Sequence, residues 1–262
     1  AFAAEAEPDI VFNNYAGSKD TWIDAGVTIP VDDLISEWGF EGKFADVALQ
    51  SATDKQGRLV GFPIEGFTWP VWYNTDIFEA AGVEIPTTVD ELIDASQKIR
   101  DAGFQPFVTG GTDWSGYAVF TTITQLPMTD EQMRTIYGEG SFDDPVAQAG
   151  IDLFTQLRDS GVFADNTEGL QADAMNEMFF SGQAAMMQAG SWAFGSLPED
   201  MQDNVVLGGF PLTADSPHEK PVIYAGFGKA VWITRNGATK MDAVRRFVQF
   251  LFSDQSILKF VE

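Results

Sequence analysis

Two kinds of apolar segment alternate along the chain: short unbroken runs, and longer stretches in which apolar residues return every third or fourth position. The first kind suits strands buried on both faces and the second suits amphipathic helices. A chain built this way is predicted to fold as α/β layers. Pro8 to Phe12, Phe104 to Thr109, Ala184 to Gln188 and Val205 to Phe210 read as strands, Val222 to Thr234 carries one or two more, and Trp69 to Tyr73 is a further apolar run. A polar turn, Asn13 to Ser18, follows the first strand, and the apolar run Leu59 to Ile64 closes the first block. Helices are expected from Asp32, from Thr88, from Asp144, over Asp173 to Phe180, and over Met241 to Phe252. Thr88 with Glu91 forms a capping-box signature, and Pro145 occupies the first-turn position that tolerates proline. Met241, Val244, Val248 and Leu251 give the last of these helices its inward stripe. No internal repeat or low-complexity linker interrupts the pattern.

Charge narrows the partners. Of 262 residues, 39 are acidic and 15 basic, a formal net charge of −24, so phosphate-bearing nucleic acid and anionic membrane surfaces would be repelled. There is no cysteine, which excludes thiol catalysis, zinc–thiolate sites, iron–sulfur clusters and disulfides. No apolar run is long enough to span a membrane as a helix. Ala1 to Ala6 reads as the last turns of a helix whose start is missing. A helix capped by Ser253 or Asp254 and carrying Ile257, Leu258 and Val261 runs to Glu262 without a stop signal. Both ends therefore read as cuts in a longer chain.

Few residues offer chemistry. The lone histidine, His218, sits in a polar loop and is expected at the surface. It could serve neither a triad nor a metal site by itself, so no metal and no cofactor is expected. Gly110-Gly111 and Gly226-Phe227-Gly228 are too sparse for a phosphate loop. Glu65 and Asp113 are the carboxylates to consider for glycoside chemistry. Aromatic residues say more: 22 Phe, 7 Trp and 5 Tyr, several of them read as lying in loops beside polar groups. These are Phe67-Thr68-Trp69, Asp113-Trp114-Ser115-Gly116-Tyr117, Ser191-Trp192 and Gly226-Phe227. Sugar rings present a C–H face to an aromatic ring and hydroxyls to carboxylates and amides, so loops of this kind suit a saccharide. Trp22, Trp38, Trp72 and Trp232 read instead as core, as do Met175, Met178, Met186 and Met187.

Five segments, in order, resemble the bacterial extracellular solute-binding proteins of ABC importers, in the carbohydrate-binding group that includes the maltose-binding protein. Pro8-Asp9-Ile10-Val11-Phe12 is similar to a family strand followed by a ligand-facing loop. Gly61-Phe62-Pro63 through Trp72-Tyr73-Asn74-Thr75-Asp76 resembles the hinge crossing. Gly82 to Leu92 resembles a family helix start, with Val89 where Trp is commoner. Phe179 to Met187, then Gly190-Ser191-Trp192, matches F-x-x-G-x-A-A-M-x-x-x-G-x-W, a block ending in a sugar-stacking tryptophan in relatives. Gly226-Phe227-Gly228 and the helix ending at Phe252-Ser253-Asp254 resemble the return to the first lobe.

The resemblance implies a two-lobed periplasmic-binding-protein fold of type II, with the chain crossing between lobes at a hinge. Residues 1–65 would begin lobe one, 66–220 would form lobe two, and 221–262 would return to lobe one. The implied protein is an extracytoplasmic, periplasmic or lipid-anchored, monomeric receptor. It would hold a mono- or oligosaccharide in the cleft between lobes and deliver it to the permease subunits of an ABC transporter, without catalysis. Trp192 would be the stacking platform, with Trp114 or Tyr117 as a second aromatic wall. Phe67, Thr68 and Trp69 would line the crossing, and Asn13, Asn14, Tyr15, Gly226 and Phe227 would reach in from lobe one. Glu65 and Asp113 would accept hydroxyls. The acidity keeps open a cationic solute such as a polyamine, and the carboxylates keep open a glycoside-active enzyme.

Overall fold

The computed structural model describes residues 7–15 and 18–261. The readings placed on Ala1 to Ala6, on Ala16-Gly17 of the polar turn and on Glu262 lie outside these residues, as does the Val261 side chain. Ile10–Asn14 (β1) leads to Asp32–Glu37 (α1), Asp46–Ser51 (α2), Phe62–Trp69 (β2) and, past Pro70, Val71–Asn74 (β3). Then come Thr75–Ala81 (α3), Val89–Asp101 (α4), Gln105–Val108 (β4), Trp114–Gln125 (α5), Asp130–Glu139 (α6), Pro145–Asp159 (α7), Ala172–Phe180 (α8) and Ala184–Gln188 (β5). Val205–Gly208 (β6), Tyr224–Ile233 (β7), Met241–Leu251 (α9) and Asp254–Val261 (α10) complete the order.

The chain forms two compact units. Unit 1 takes residues 1–67 and 226–262, and unit 2 is the continuous stretch 68–225. Unit 1 holds a sheet in the order β1-β7-β2, with β1 antiparallel to β7 from Ile10 opposite Ile233 to Asn14 opposite Lys229. Its core gathers Val231, Trp232 and Ile233 with Phe62, Trp38 and Phe40. The Trp38 and Phe62 rings stack 5.4 Å apart. Val244 and Val248 of α9 are buried in the same cluster, and Met241 and Leu251 pack against it, so the expected inward stripe is the buried one.

Unit 2 is built on a mixed sheet in the order β4-β5-β3-β6; β4 and β5 are parallel, and β3 is antiparallel to both its neighbours. Both faces are covered. Val71 and Tyr73 join the cluster formed with α3, α4, α5 and α7, whereas Trp72 joins the opposite cluster with Met175 and Phe179 of α8. That is the two-residue period of a strand buried on both sides. Trp72, Trp232, Met175, Met186 and Met187 are fully buried, as expected of core residues.

Local chemistry sets the helix ends. The Glu91 carboxylate accepts from the Thr87 and Thr88 N–H groups while Thr88 Oγ1 accepts from Glu91 N–H, completing the box that starts α4. Asp144 caps α7 ahead of Pro145. Helices α5 and α7 touch through Gly150: a Cβ there would lie 2.8 Å from Thr124 Cα and nearer still to its carbonyl oxygen. Only hydrogen fits at that crossing.

The structure corrects the loop reading of the aromatic segments. Trp114 and Tyr117 belong to the first turns of α5, Phe67-Thr68-Trp69 to strand β2, and Gly226-Phe227 to strand β7. Only Ser191-Trp192 lies outside regular helix and strand, in the 3₁₀ turn Ser191–Ser196. Extended main chain bonded to neighbouring strands holds β2 and β7. Asp113, as N-cap of α5, turns an apparent loop into a helix start.

Candidate functional site

Four aromatic rings of unit 2 form a continuous ladder. Tyr224 opens β7 and stacks on Trp69, the last residue of β2, with centroids 4.8 Å apart and planes 21° from parallel. Trp69 stacks in turn on Trp114 at 6.0 Å. Trp114 meets Trp192 edge-on at 5.3 Å. Strand ends, a helix start and a 3₁₀ turn thus supply one rung each, and such contacts carry energy beyond the area they bury.

Exposure separates the rungs by role. Trp69 is 8% exposed, whereas Trp114 is 38%, Trp192 49% and Tyr117 58% exposed. Trp69 is thus core, whereas Trp114, Trp192 and Tyr117 are aromatics left open to solvent on a braced support. The Trp192 indole lies directly over Gly190, where any Cβ would overlap the ring. The Thr68 N–H reaches Ser191 Oγ at 3.4 Å, tying β2 to the turn that carries Trp192. Behind the ladder, buried Gln188 donates its amide to the Trp69 carbonyl (3.0 Å) and to Thr122 Oγ1 (2.9 Å).

Asp113 fastens the ladder's helix. Its Oδ1 accepts from the Ser115 N–H and hydroxyl, and its Oδ2 accepts from the Ala172 N–H at 2.8 Å, joining α5 to α8. Burial pushes the carboxyl up, but the hydrogen bonds from Ala172 and Ser115 outweigh it and hold the carboxyl below the usual range. A lowered folded pKa stabilises the native state above the unfolded value of about 3.9 and loses that contribution as pH falls through the folded value. The stability gap between wild type and Asp113→Ala is therefore expected to hold at pH 5 and above and to narrow as the pH falls below the unfolded value. Urea denaturation of both proteins across that range measures it, and a gap independent of pH would contradict the assignment.

A cavity of about 380 Å³ adjoins the far end of the ladder within unit 2. Thr122, Gln125, Asp130, Met133, His218 and Tyr224 line it. His218, expected merely at the surface, is half-buried here. Burial, and then the neighbouring Tyr117 and Tyr137 hydroxyls, push the Tyr224 phenol up.

The remaining expected residues lie in unit 1. The Asn13 side-chain amide donates to Ser18 Oγ at 3.0 Å, and the Asn13 main-chain carbonyl accepts from the Trp232 indole at 3.1 Å. Asn14 is exposed at the end of β1. Tyr15 is buried, its ring 6.4 Å from that of Trp232, and burial pushes its phenol well up. Glu65 pairs with Lys229 at 2.9 Å. Phe227 packs over Gly66 and Phe67 over Gly228, and Gly226 precedes them on β7. Among the described residues no group of three or more His, Cys, Asp or Glu could hold a metal ion.

The structure thus brings Trp69, Trp114 and Trp192 together, with Thr68, Asp113 and Tyr117 beside them on the same elements. Tyr224 and Gln188 were not singled out from sequence, whereas Gly190 is the glycine of the G-x-W motif. For Tyr224 the available signal was an aromatic beside Ala225-Gly226 at a strand start.

Comparison with known proteins agrees on a single family. The family described as bacterial extracellular solute-binding proteins matches residues 1–257. A probable secreted solute-binding lipoprotein from Streptomyces coelicolor superposes with a TM-score of 0.87 at 35% identity, over 99% of this chain and 66% of that one. A probable sugar-binding periplasmic protein of Rhizobium meliloti is 27% identical over 66% of this chain and 42% of its own length. An sn-glycerol-3-phosphate-binding periplasmic protein of Pectobacterium atrosepticum is 26% identical over 85% of this chain and 52% of its own. The chain spans about half the length of these two curated relatives.

Proposed function

Because this chain belongs to the bacterial extracellular solute-binding proteins, we propose that it captures a carbohydrate outside the cytoplasm and delivers it, chemically unchanged, to the permease subunits of an ABC importer. The fold class expected from the sequence, the two-lobed α/β periplasmic-binding-protein fold, is that of its structural relatives, and the family is extracytoplasmic. Among the described residues no helix is long and apolar enough to cross a membrane. That the two units are the two lobes is part of the same proposal: residues 1–67 and 226–262 in one and 68–225 in the other, a few residues from the expected bounds of 65/66 and 220/221.

One observation carries the solute class: Trp114 and Trp192 are held open on a braced ladder, with Tyr117 exposed one helical turn beyond Trp114. Flat apolar faces beside hydroxyl and amide groups match the two-sided chemistry of a sugar ring. The relatives' names offer two solutes, a sugar and a glycerol phosphate. A phosphate ester calls for Arg, Lys or an array of N–H donors. Among the described residues no Lys or Arg belongs to the ladder or lines the adjoining cavity, which favours the sugar. A catalytic reading gains no support from the two candidate carboxylates. A general acid needs a raised pKa, whereas Asp113 is lowered, and Glu65 is paired with Lys229.

A thermal-shift panel of mono- and oligosaccharides, sugar phosphates and polyamines tests the reading, because a ligand of the native state raises the melting temperature. For the sugar so identified, Trp192→Ala is expected to weaken binding by about 1–3 kcal/mol with little change in folding stability. Titration calorimetry measures the difference, and an unchanged Kd would remove Trp192 from the site.

A further inference from the structure

Gln188 is the one polar side chain of β5. The residues before it, Ala184-Ala185-Met186-Met187, are apolar and buried, and Gln188 is itself only 1% exposed. Burying an amide costs stability unless each of its polar atoms finds a partner. Among the described residues the Gln188 Oε1 has none. For the fold alone, a third methionine would serve this position better than glutamine.

The amide nitrogen joins two supports of the ladder. Nε2 donates to the Trp69 carbonyl at 3.0 Å and to Thr122 Oγ1 at 2.9 Å. A carbonyl can only accept, so the nitrogen is the atom that must face it. The Thr122 hydroxyl donates in turn to the Ala118 carbonyl, also at 2.9 Å. Trp114, Ala118 and Thr122 follow one another at four-residue intervals on α5 and so share one face of that helix. One side chain therefore bonds the main chain of Trp69 to the helix face that bears Trp114. These are the two indoles that stack 24° from parallel. The main chain of Gln188 is itself paired with Val71, just past Trp69, and runs on through Gly190 to Trp192. The elements carrying three of the four rungs thus meet at this amide.

We propose that Gln188 is a positioning residue for the solute. Its amide holds Trp114 against Trp69, and the affinity of the aromatic face depends on that bond, although the buried side chain offers the solute no surface. The inference rests on the carbohydrate reading of the ladder, because it concerns how firmly the platform for the sugar is held.

Two near-isosteric variants test it. Gln188→Met keeps the bulk of the side chain and removes its hydrogen bonds, and Thr122→Val removes the acceptor on α5. Calorimetry with the sugar identified by the thermal-shift panel is expected to show about tenfold weaker binding in each. The double variant should lose nothing further, because either change alone cuts the connection. Near-ultraviolet circular dichroism, which reads the mutual orientation of neighbouring indoles, should change in both variants while the far-ultraviolet spectrum stays that of wild type. Wild-type affinity in Gln188→Met, or losses in the single variants that multiply in the double, would overturn the inference and leave the carbohydrate reading standing. Should Gln188→Met fail to fold, Thr122→Val decides: weaker binding supports the inference and unchanged binding overturns it. If the wild-type protein binds no sugar, the carbohydrate reading fails and takes the inference with it.

Discussion

Trp69→Ala is expected to abolish measurable solute binding and to cost unit 2 about 3–5 kcal/mol of stability. The indole is almost completely buried and stacks on both Tyr224 and Trp114. Truncation leaves a cavity that two large rings border, and each lost ring contact forfeits about 0.5–1.5 kcal/mol beyond area burial. The exposed rungs lose their support: Trp114 retains only the edge of Trp192, and Tyr224 loses the surface that aims it at the cavity. Binding should therefore suffer at least as much as in Trp192→Ala, although Trp69 offers the solute almost no surface. Urea unfolding followed by far-ultraviolet circular dichroism, paired with calorimetry on the folded fraction, measures both effects. Lost stability with an affinity within about twofold of wild type would make the ladder a packing feature and not a binding platform.

Trp72→Ala is expected to be equally destabilising, about 3–5 kcal/mol, and to leave affinity alone in whatever protein remains folded. Trp72 is fully buried on the α8 side of the sheet. Its indole N–H donates to the Ala189 carbonyl at 3.2 Å, and its ring meets Phe179 and Phe180 edge-on. Removing it opens a large cavity and orphans a buried carbonyl, two penalties that add. The same unfolding and binding measurements apply, at a temperature where the variant is still largely native. A change in Kd as large as that of Trp69→Ala would show that the two tryptophans do not separate folding from recognition.

The contrast also marks what could be read from sequence. Trp72 lies in an apolar run, and its burial follows from the pattern alone. So does that of β5, whose unbroken Ala-Ala-Met-Met is a strand covered on both faces. The box at Thr88 and the proline at Pro145 announced α4 and α7 because caps act within a few residues. Helices α5 and α6 had no such reading. α5 opens on Trp-Ser-Gly-Tyr and carries three threonines, a composition of low helix propensity. Ala118, Val119, Thr121, Thr122, Ile123 and Thr124 are all buried, so packing against neighbours, above all α7 at Gly150, makes it a helix.

The site was legible to the same depth. Trp114 and Trp192 stand out locally as aromatics beside polar groups, but their contact is a tertiary fact that no spacing encodes. Asp113 shows the ambiguity. An acid two residues before serine, at the head of an aromatic segment, serves equally well as a hydroxyl acceptor and as an N-cap, and here the main chain claims both its oxygens. Tyr224 escaped notice because its role comes from Trp69, a residue of another strand.

The discontinuity of unit 1 governs the order in which the molecule completes itself. Unit 2 is one uninterrupted stretch, whereas β1 must find β7, and the Trp232 indole bonds to the Asn13 carbonyl across 219 positions. Closing so long a loop is slow, and during synthesis the N-terminal strand emerges long before its partner exists. The sheet of unit 2, β4-β5-β3-β6, has all its strands to hand once Gly208 has been made. It can reach its native form while residues 7–67 still lack the chain that pairs with them.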